Sequence, residues 1–307
     1  MNLGKGRHIM NRIPIESRFL FHVHPLAATG YFVALMALLL MFNHVGIVGT
    51  AFGGLILLDG WYLGFKQVGW QLKYSGWLFI TIVIFNVLLN QSGGPYLWQV
   101  KLLGVTWKLS MPALLYGSVM GLMLVAMLLA FALFNAILTA NKLLAVLSPL
   151  SPRLALLVVL SMNLVGTLKQ TFRQLALFQK TRNIDPASGS VKHRLKVGMR
   201  FMNILLEKAL AAGMERARSM DARGFGATKR SQYRAFRWQI ADSWFLGSSA
   251  ILFFCLVGLR VGSYGWTGSA LTFNGSISLM DSWILGLVGL FLGLPLIFEG
   301  VAALWTN

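Results

Sequence analysis

Two arginines, each at the end of a charged segment, are the side chains of this sequence best suited to bind a partner. The segments read "FQKTRN" and "ERARSMDARGFG". Arg182 is followed by Asn183 and Arg223 by Gly224, and both following residues tend to stop a helix. A guanidinium group can bind carboxylates or backbone carbonyls through parallel hydrogen bonds. Each arginine is therefore placed to enter a cleft in a partner, and a basic helix lying against solvent or lipid headgroups is the alternative.

Few other residues suggest chemistry. His22 and His24 form a His-x-His pair, but no third ligand is near them in sequence, so polar residues at a membrane edge are favoured over a metal site. Asp59 interrupts an apolar run, where an ionisable residue is either functional or the cap of a broken helix. The chain lacks a Gly-x-x-x-x-Gly-Lys-Ser/Thr loop, so we expect it not to bind ATP as a P-loop protein. We predict no catalytic residue, no metal ligand and no cofactor.

The composition indicates a membrane protein. Of 307 residues, 56% are hydrophobic and 12% are charged, and the mean hydropathy is +0.67. Soluble domains carry about 25% charged residues. The single cysteine, Cys255, excludes a disulfide framework within the chain and a cysteine-based zinc site. We therefore expect a multi-pass helical membrane protein.

The positive charge is concentrated in one region. The net charge is +18, and 16 of the 27 Lys and Arg residues lie between Lys169 and Arg237. Basic loops mark the cytoplasmic side of membrane proteins. No nucleic-acid-binding motif accompanies this charge. We therefore interpret residues 169–237 as cytoplasmic and expect no nucleic-acid partner.

The apolar runs predict about six transmembrane helices, with both termini cytoplasmic, in an all-α fold. Leu144–Leu168 contains prolines and is expected to be a helix at the interface or inside the bundle, or a seventh span. The predicted domains are the N-terminal transmembrane helices, 1–143, a cytoplasmic coupling region, 144–240, and the C-terminal transmembrane helices, 241–307. The six candidate spans are Leu26–Asn43, Val45–Phe65, Gly76–Asn90, Ala113–Leu138, Trp244–Val261 and Ser282–Trp305.

Helical periodicity predicts two long amphipathic helices within the coupling region. The residues on the predicted face of the first helix recur at intervals of three and four: Leu168, Phe172, Leu175, Gln179 and Arg182. The residues on a second face become smaller toward its C-terminal end, which favours close approach of another helix backbone. They are Leu206, Leu210, Gly213, Ala217, Met220 and Gly224. Gly224 suits a helix C-cap, and Arg223 before it suits the negative end of the helix dipole.

The second charged segment resembles a coupling-helix motif of the T component of energy-coupling factor (ECF) transporters. In that motif an Arg-Ala pair, here Arg216-Ala217, precedes an Ala-Arg-Gly, here Ala222-Arg223-Gly224. The order of the elements also resembles that family: four spans, a basic coupling region, and a return to the membrane.

The first charged segment resembles the other motif of the family, Ala-Gln-x-Ala-Arg-Gly, in part. It keeps Gln179 and Arg182. It departs from the motif at Phe178, Thr181 and Asn183.

The resemblance implies a non-catalytic scaffold in the plasma membrane, surrounded by membrane lipid. The scaffold would link a membrane S component, which binds substrate, to two cytoplasmic ATPases that form a homodimer or a heterodimer. Arg182 and Arg223 would each dock in a groove of one ATPase, and ATPase closure would move the S component. The transported substrates of the family are vitamins or metal ions such as cobalt and nickel. The implied coupling residues are Gln179, Arg182, Arg216, Ala217, Ala222, Arg223 and Gly224.

Two other functions are compatible with the composition. One is a membrane-embedded enzyme acting on a lipid or prenyl substrate, with the basic region recruiting anionic headgroups. Such an enzyme predicts clustered acidic or histidine residues, but the chain has only nine acidic residues and no Asp-rich motif. The other is a basic membrane anchor with no role in transport.

Overall fold

The protein is described by a computed structural model that covers residues 18–90, 96–102, 105–181, 191–225, 227, 236–262, 264–265 and 279–306. Almost all of its regular structure is helical. The helices are α1 (Phe19–His22), α2 (Pro25–Met41), α3 (Val45–Asp59), α4 (Phe65–Leu89), α5 (Met111–Ile137), α6 (Ala140–Leu150), α7 (Pro152–Thr181), α8 (Val191–Ala222), α9 (Ile240–Val261) and α10 (Leu279–Thr306).

The predicted class of α-helical membrane protein is confirmed. Five helical runs among the described residues are long and apolar enough to cross a membrane, and Pro25–Met41 is a shorter apolar helix. The five runs are Val45–Leu89, Met111–Ile137, Leu154–Phe178, Ile240–Val261 and Leu279–Val301. One element was not expected from the sequence: β1 (Tyr96–Leu102) and β2 (Val105–Ser110) form an antiparallel hairpin before α5.

The interruption expected at Asp59 is present. A π-helical turn, Gly60–Gly64, follows α3, and Gly64 has φ +90°, a conformation that glycine adopts without a Cβ clash. The run from Val45 to Leu89 contains 45 residues, which would extend about 68 Å as one straight helix. Because the hydrocarbon core is about 30 Å thick, this run is longer than one crossing requires. The total of six spans therefore stays a prediction.

Contacts divide the chain into two compact units, of which the first is Met1–Lys142 with Phe236–Asn307. Within it α2, α3, α5, α9 and α10 enclose an aromatic core. The Tyr31 ring stacks on Phe291, with centroids 5.1 Å apart, and lies 5.3 Å from Phe245. The Tyr31 hydroxyl donates a hydrogen bond to the Phe291 carbonyl at 3.3 Å. The polar atom of this buried ring thus has a partner.

Small residues bring α4 and α5 into close contact. Gly117 and Gly121 are four residues apart and lie on one face of α5. A Cβ at Gly117 would come within 2.9 Å of the Asn86 Cβ, and one at Gly121 within 2.8 Å of the Phe79 ring. This small-xxx-small pattern lets two helix backbones approach closely in a membrane.

The second unit is Leu143–Ala235 and contains most of α6, together with α7 and α8. The predicted helix at Leu144–Leu168 is divided in two, because α6 ends at Leu150 and α7 begins at Pro152. Proline suits the first position of a helix, where its missing N–H would have no partner. Phe201 of α8 is 4% exposed, and its ring lies 5.9 Å from that of Phe172 in α7.

Candidate partner-binding site at the end of α8

The end of α8 is capped as the sequence predicts. Gly224 has φ +70°, which places it in the left-handed region. Its N–H donates to the Asp221 carbonyl at 2.9 Å, and the N–H of Phe225 donates to the Met220 carbonyl at 3.0 Å. These two bonds define a Schellman motif, which supplies partners for carbonyls that the helix itself leaves unpaired.

Arg223 is the last residue before this left-handed glycine. Its backbone N–H donates to the Met220 carbonyl at 3.1 Å, so its Cα position is fixed by the cap. Its side chain is exposed. A cation at this position is stabilised by the negative end of the helix dipole. The structure thus has an exposed guanidinium at a capped helix end, and its binding partner stays a prediction.

The other residues of the Arg-Ala and Ala-Arg-Gly motif lie on the same continuous helix. Arg216 is half-buried, whereas Ala217 and Ala222 are exposed. At 100° per residue, Arg216 and Arg223 differ by about 20° and share a face. Arg218 lies about 140° from Arg223, on a different face.

The arginines of α8 have no carboxylate partner within the part of the chain that the structure describes. The salt bridges there join Arg18 to Glu299 and His44 to Asp281. An exposed arginine without an intramolecular ion pair keeps its hydrogen-bond donors available to water or to a partner.

The first predicted arginine, Arg182, lies outside the described residues. Gln179 belongs to the last turns of α7, which ends at Thr181. The Thr181 hydroxyl donates to the Phe178 carbonyl at 2.7 Å. The roles of Gln179 and Arg182 thus remain predictions.

His24 has a structural role as the cap of α2. Its Nδ1 accepts the Leu26 N–H at 3.3 Å, and its own backbone N–H donates to an Asp242 carboxylate oxygen at 2.9 Å. Its ring lies 4.8 Å from that of Trp238. Burial lowers the pKa of His24, and the Asp242 carboxylate partly opposes this shift. Across the described ranges, no three His, Cys, Asp or Glu residues converge to hold a metal.

A polar cluster around Glu299 was missed in the sequence. Glu299 accepts hydrogen bonds from the Tyr62 hydroxyl at 2.9 Å and from the Trp61 indole at 3.3 Å, and it pairs with Arg18 at 3.4 Å. Arg18 also lies 4.8 Å from the Trp61 ring centroid. These residues are far apart in the chain, and only the single acidic residue near the end of an apolar run gave a local signal. The cluster joins the start of α1 to the π-helical turn and α10.

Asp59, a functional candidate from the sequence, is fully buried where α3 ends. Neither of its carboxylate oxygens has a hydrogen-bond partner among the described residues. A charged carboxylate in such surroundings is strongly disfavoured, so the neutral acid is the form compatible with this site.

Comparison with known proteins tests the resemblance of this sequence to the T component of ECF transporters. No protein-family model matches the chain. An energy-coupling factor transporter transmembrane protein from Listeria innocua is 32% identical over 108 residues, which are 35% of this chain and 41% of that protein. Proteins of the same name from Bacillus subtilis and Limosilactobacillus fermentum are 26% and 24% identical, over 60% and 62% of this chain and 73% and 75% of their own lengths.

Each of six curated relatives carries this same name. The similarity to the membrane T component of ECF transporters is therefore confirmed. Together with the apolar helices, it indicates a multi-pass membrane protein of the transporter class.

Proposed function

We propose that this chain, a relative of the T components of ECF transporters, couples two cytoplasmic ATPases to a membrane S component that binds the transported substrate. In this proposal the chain itself is not an enzyme, since ATP is hydrolysed by the partners. The transported substrate is a vitamin or a metal ion, and the S component provides the specificity. The observation that carries the proposal is the capped end of α8 with its exposed arginine.

The geometry at the end of α8 suits force transmission. A Schellman motif fixes the backbone around Arg223, and the helix behind it is continuous for 32 residues. A rigid rod about 48 Å long carries a displacement of its tip along its full length. If an ATPase groove holds Arg223, closure of the ATPases moves the whole of α8. Arg182, which follows Thr181 in the sequence, is proposed to do the same in the second ATPase.

Substitution of the arginines tests this role. A charge-assisted hydrogen bond to a partner is worth about 1.5–3 kcal/mol. Arg223→Ala should therefore weaken ATPase binding by roughly tenfold to a hundredfold. Arg223→Lys should restore it only in part, because an ammonium group cannot form the planar forked contact. Arg182→Ala combined with Arg223→Ala should abolish uptake while the chain still inserts in the membrane.

Arg218→Ala is the matched control, because it removes the same charge from another face of the same helix. The measurement is recovery of the ATPases with the tagged chain from its own membranes, together with substrate uptake. Loss of binding in Arg218→Ala but not in Arg223→Ala would place the contact elsewhere on α8. Normal binding and uptake in every variant would refute the coupling role.

The proposal also requires residues 169–237 to face the cytoplasm. In a Cys255→Ser background, a cysteine at Ser190 should resist an impermeant thiol reagent in intact cells. A cysteine at Ser269 should react with it. The reverse pattern would contradict the orientation and both cytoplasmic termini.

A further inference from the structure

The chain passes between the two compact units at two places. It leaves the first unit after Lys142, which we call the exit junction, and re-enters it at Phe236, which we call the return junction. Helix α6 begins at Ala140, so it starts in the first unit and continues into the second as one helix. Because both junctions are covalent, a displacement of the second unit acts on them directly.

The exit junction is anchored by Lys142, which is only 3% exposed. Its Nζ donates a hydrogen bond to the Phe21 carbonyl at 2.6 Å and lies 3.9 Å from the centroid of the Phe21 ring. A buried ammonium group is costly without such partners. Phe21 belongs to α1 and lies 121 positions earlier in the chain. Lys142 therefore ties the first turn of α6 to α1.

The return junction is anchored at the residue before α2. The backbone N–H of His24 donates to one carboxylate oxygen of Asp242 at 2.9 Å, and the N–H of Gln239 donates to the other at 2.9 Å. Asp242 is 4% exposed, and the rings of His24 and Trp238 lie 4.8 Å apart. Because a buried carboxylate here accepts two backbone N–H groups, it fixes the return junction to a point 218 positions earlier in the chain.

Both anchors lie on one short stretch, Arg18–His24, which we call the α1 segment. The first unit itself holds this stretch, since Leu20 is fully buried within it. The Phe19 ring stacks on Phe298 of α10 and meets Phe245 of α9 edge-on, with 5.6 Å between centroids in each case. A salt bridge to α10 holds its first residue. The α1 segment thus contacts the helices of the first unit and both junctions.

We propose that the α1 segment is the common anchor of the two junctions, and that Lys142 and Asp242 are positioning residues for coupling. The inference rests on the proposed coupling function, in which ATPase closure displaces α8. Junctions that are held in place pass this displacement on, whereas loose junctions absorb it. Neither residue is proposed to touch ATP or substrate, and each acts through the backbone that it holds.

Hydrogen exchange on the purified full chain tests each anchor separately. Lys142→Ala should speed exchange in the first turns of α6 by about tenfold to a hundredfold, because it removes a charge-assisted hydrogen bond. Asp242→Asn should speed exchange at His24 or Gln239, because an amide side chain offers only one acceptor oxygen. Lys73→Ala is the matched control, since it removes the same charge from an exposed position of α4 and should change neither junction.

A change within the α1 segment tests whether the anchor is common to both junctions. Phe19→Ala removes both aromatic contacts with the first unit, so it should speed exchange at the exit and the return junction together. Arg18→Gln leaves those contacts in place and should give the same pattern at lower amplitude, which keeps the test open if Phe19→Ala does not fold. Faster exchange at one junction only, or at neither, would overturn the common anchor.

Transport by the whole complex tests the positioning role. The chain is purified with its ATPases from its own membranes and reconstituted in liposomes. Cobalt(II), nickel(II) and labelled vitamins are offered, and the one that the wild-type complex accumulates with ATP serves as the probe. Uptake per ATP hydrolysed should fall in Lys142→Ala and Asp242→Asn and stay unchanged in Lys73→Ala. A residue that only stabilises the fold would lower the amount of complex and leave this ratio unchanged.

The two roles fail in different ways. Wild-type uptake per ATP in Lys142→Ala and Asp242→Asn, with junctions that exchange faster, would overturn the positioning role and leave ATPase coupling through Arg223 intact. The amount of bound ATPase should stay at the wild-type level in both variants, because the Arg223 contact is untouched, and its loss would also contradict the proposal. Normal binding and uptake in Arg223→Ala would instead refute the coupling function, while hydrogen exchange still decides whether the α1 segment anchors both junctions.

Discussion

Replacing Gly224 by alanine should open the cap at the end of α8. At φ +70° an alanine Cβ crowds the following carbonyl, which costs about 1–2 kcal/mol. The surroundings add little, because the nearest other atom to such a Cβ is the Ala227 Cβ at 4.0 Å. The left-handed backbone conformation therefore accounts for nearly all of the expected cost of Gly224→Ala. A cost of this size opens the cap about 5–30 times more often.

Hydrogen exchange on the purified chain measures this opening directly. The N–H groups of Arg223, Gly224 and Phe225 all donate to carbonyls of the last turns of α8. We expect these three amides to exchange about 5–30 times faster in Gly224→Ala, while amides in the middle of α8 keep their rates. If the capped end preorganises Arg223 for the ATPase, binding of the ATPase should weaken by up to the same factor.

Two further substitutions bracket the expected effect. Gly224→Asn should be milder, because asparagine adopts the left-handed conformation more readily than alanine. Gly213→Ala should stabilise α8 rather than destabilise it. This helical glycine has open space around it, and alanine favours a helix interior by about 0.8–1 kcal/mol. Unchanged exchange at the three cap amides in Gly224→Ala would refute the assignment of the Schellman motif.

Three other predictions concern the first unit. Asp59→Leu should raise the free energy of unfolding by about 1–3 kcal/mol, because it removes a buried polar group without a partner among the described residues; a lower melting temperature would indicate that this carboxyl has a stabilising partner. Glu299→Gln should lower the melting temperature, because it leaves the poorly exposed Arg18 guanidinium unpaired, whereas Glu215→Gln on exposed helix surface should not. Burial lowers the pKa of Lys142 from 10.5 to about 8. Between these pH values the unfolded chain binds more protons than the folded chain, so the free energy of unfolding should rise with pH. The melting temperature of Lys142→Met should not show that rise.

Local chemistry made several features predictable. The apolar runs and the scarcity of charge predict membrane helices, because a segment that crosses the bilayer must be apolar over its own length. Asp59 and Gly60 predict the interruption after α3. Gly224, with Arg223 before it, predicts the C-cap of α8, because only residues close in sequence form such a cap. The Arg-Ala and Ala-Arg-Gly motif likewise lies in one short stretch, Arg216–Gly224, at the end of α8.

The contacts between distant parts of the chain were not predictable in this way. Arg18 and Glu299 are 281 positions apart and meet beside Trp61. Gly117 and Gly121 lie in an apolar run, and nothing in the local sequence indicates that α4 packs closely against them. Neither pairing leaves a periodic signal in the sequence.

In α8, too, some features follow from the local sequence and others only from the tertiary packing. Periodicity predicted a helix with an apolar face that begins at Leu206 and includes Leu210 and Gly213. Only the packing decided that Phe201 turns toward Phe172 in α7 and that Leu206 and Leu210 on the predicted face stay exposed. Sequence determines local backbone preference and the polarity of each face, because both depend on neighbouring residues. Which apolar face is buried is decided by the free energy of contacts with residues distant in sequence, and those contacts exist only in the folded chain.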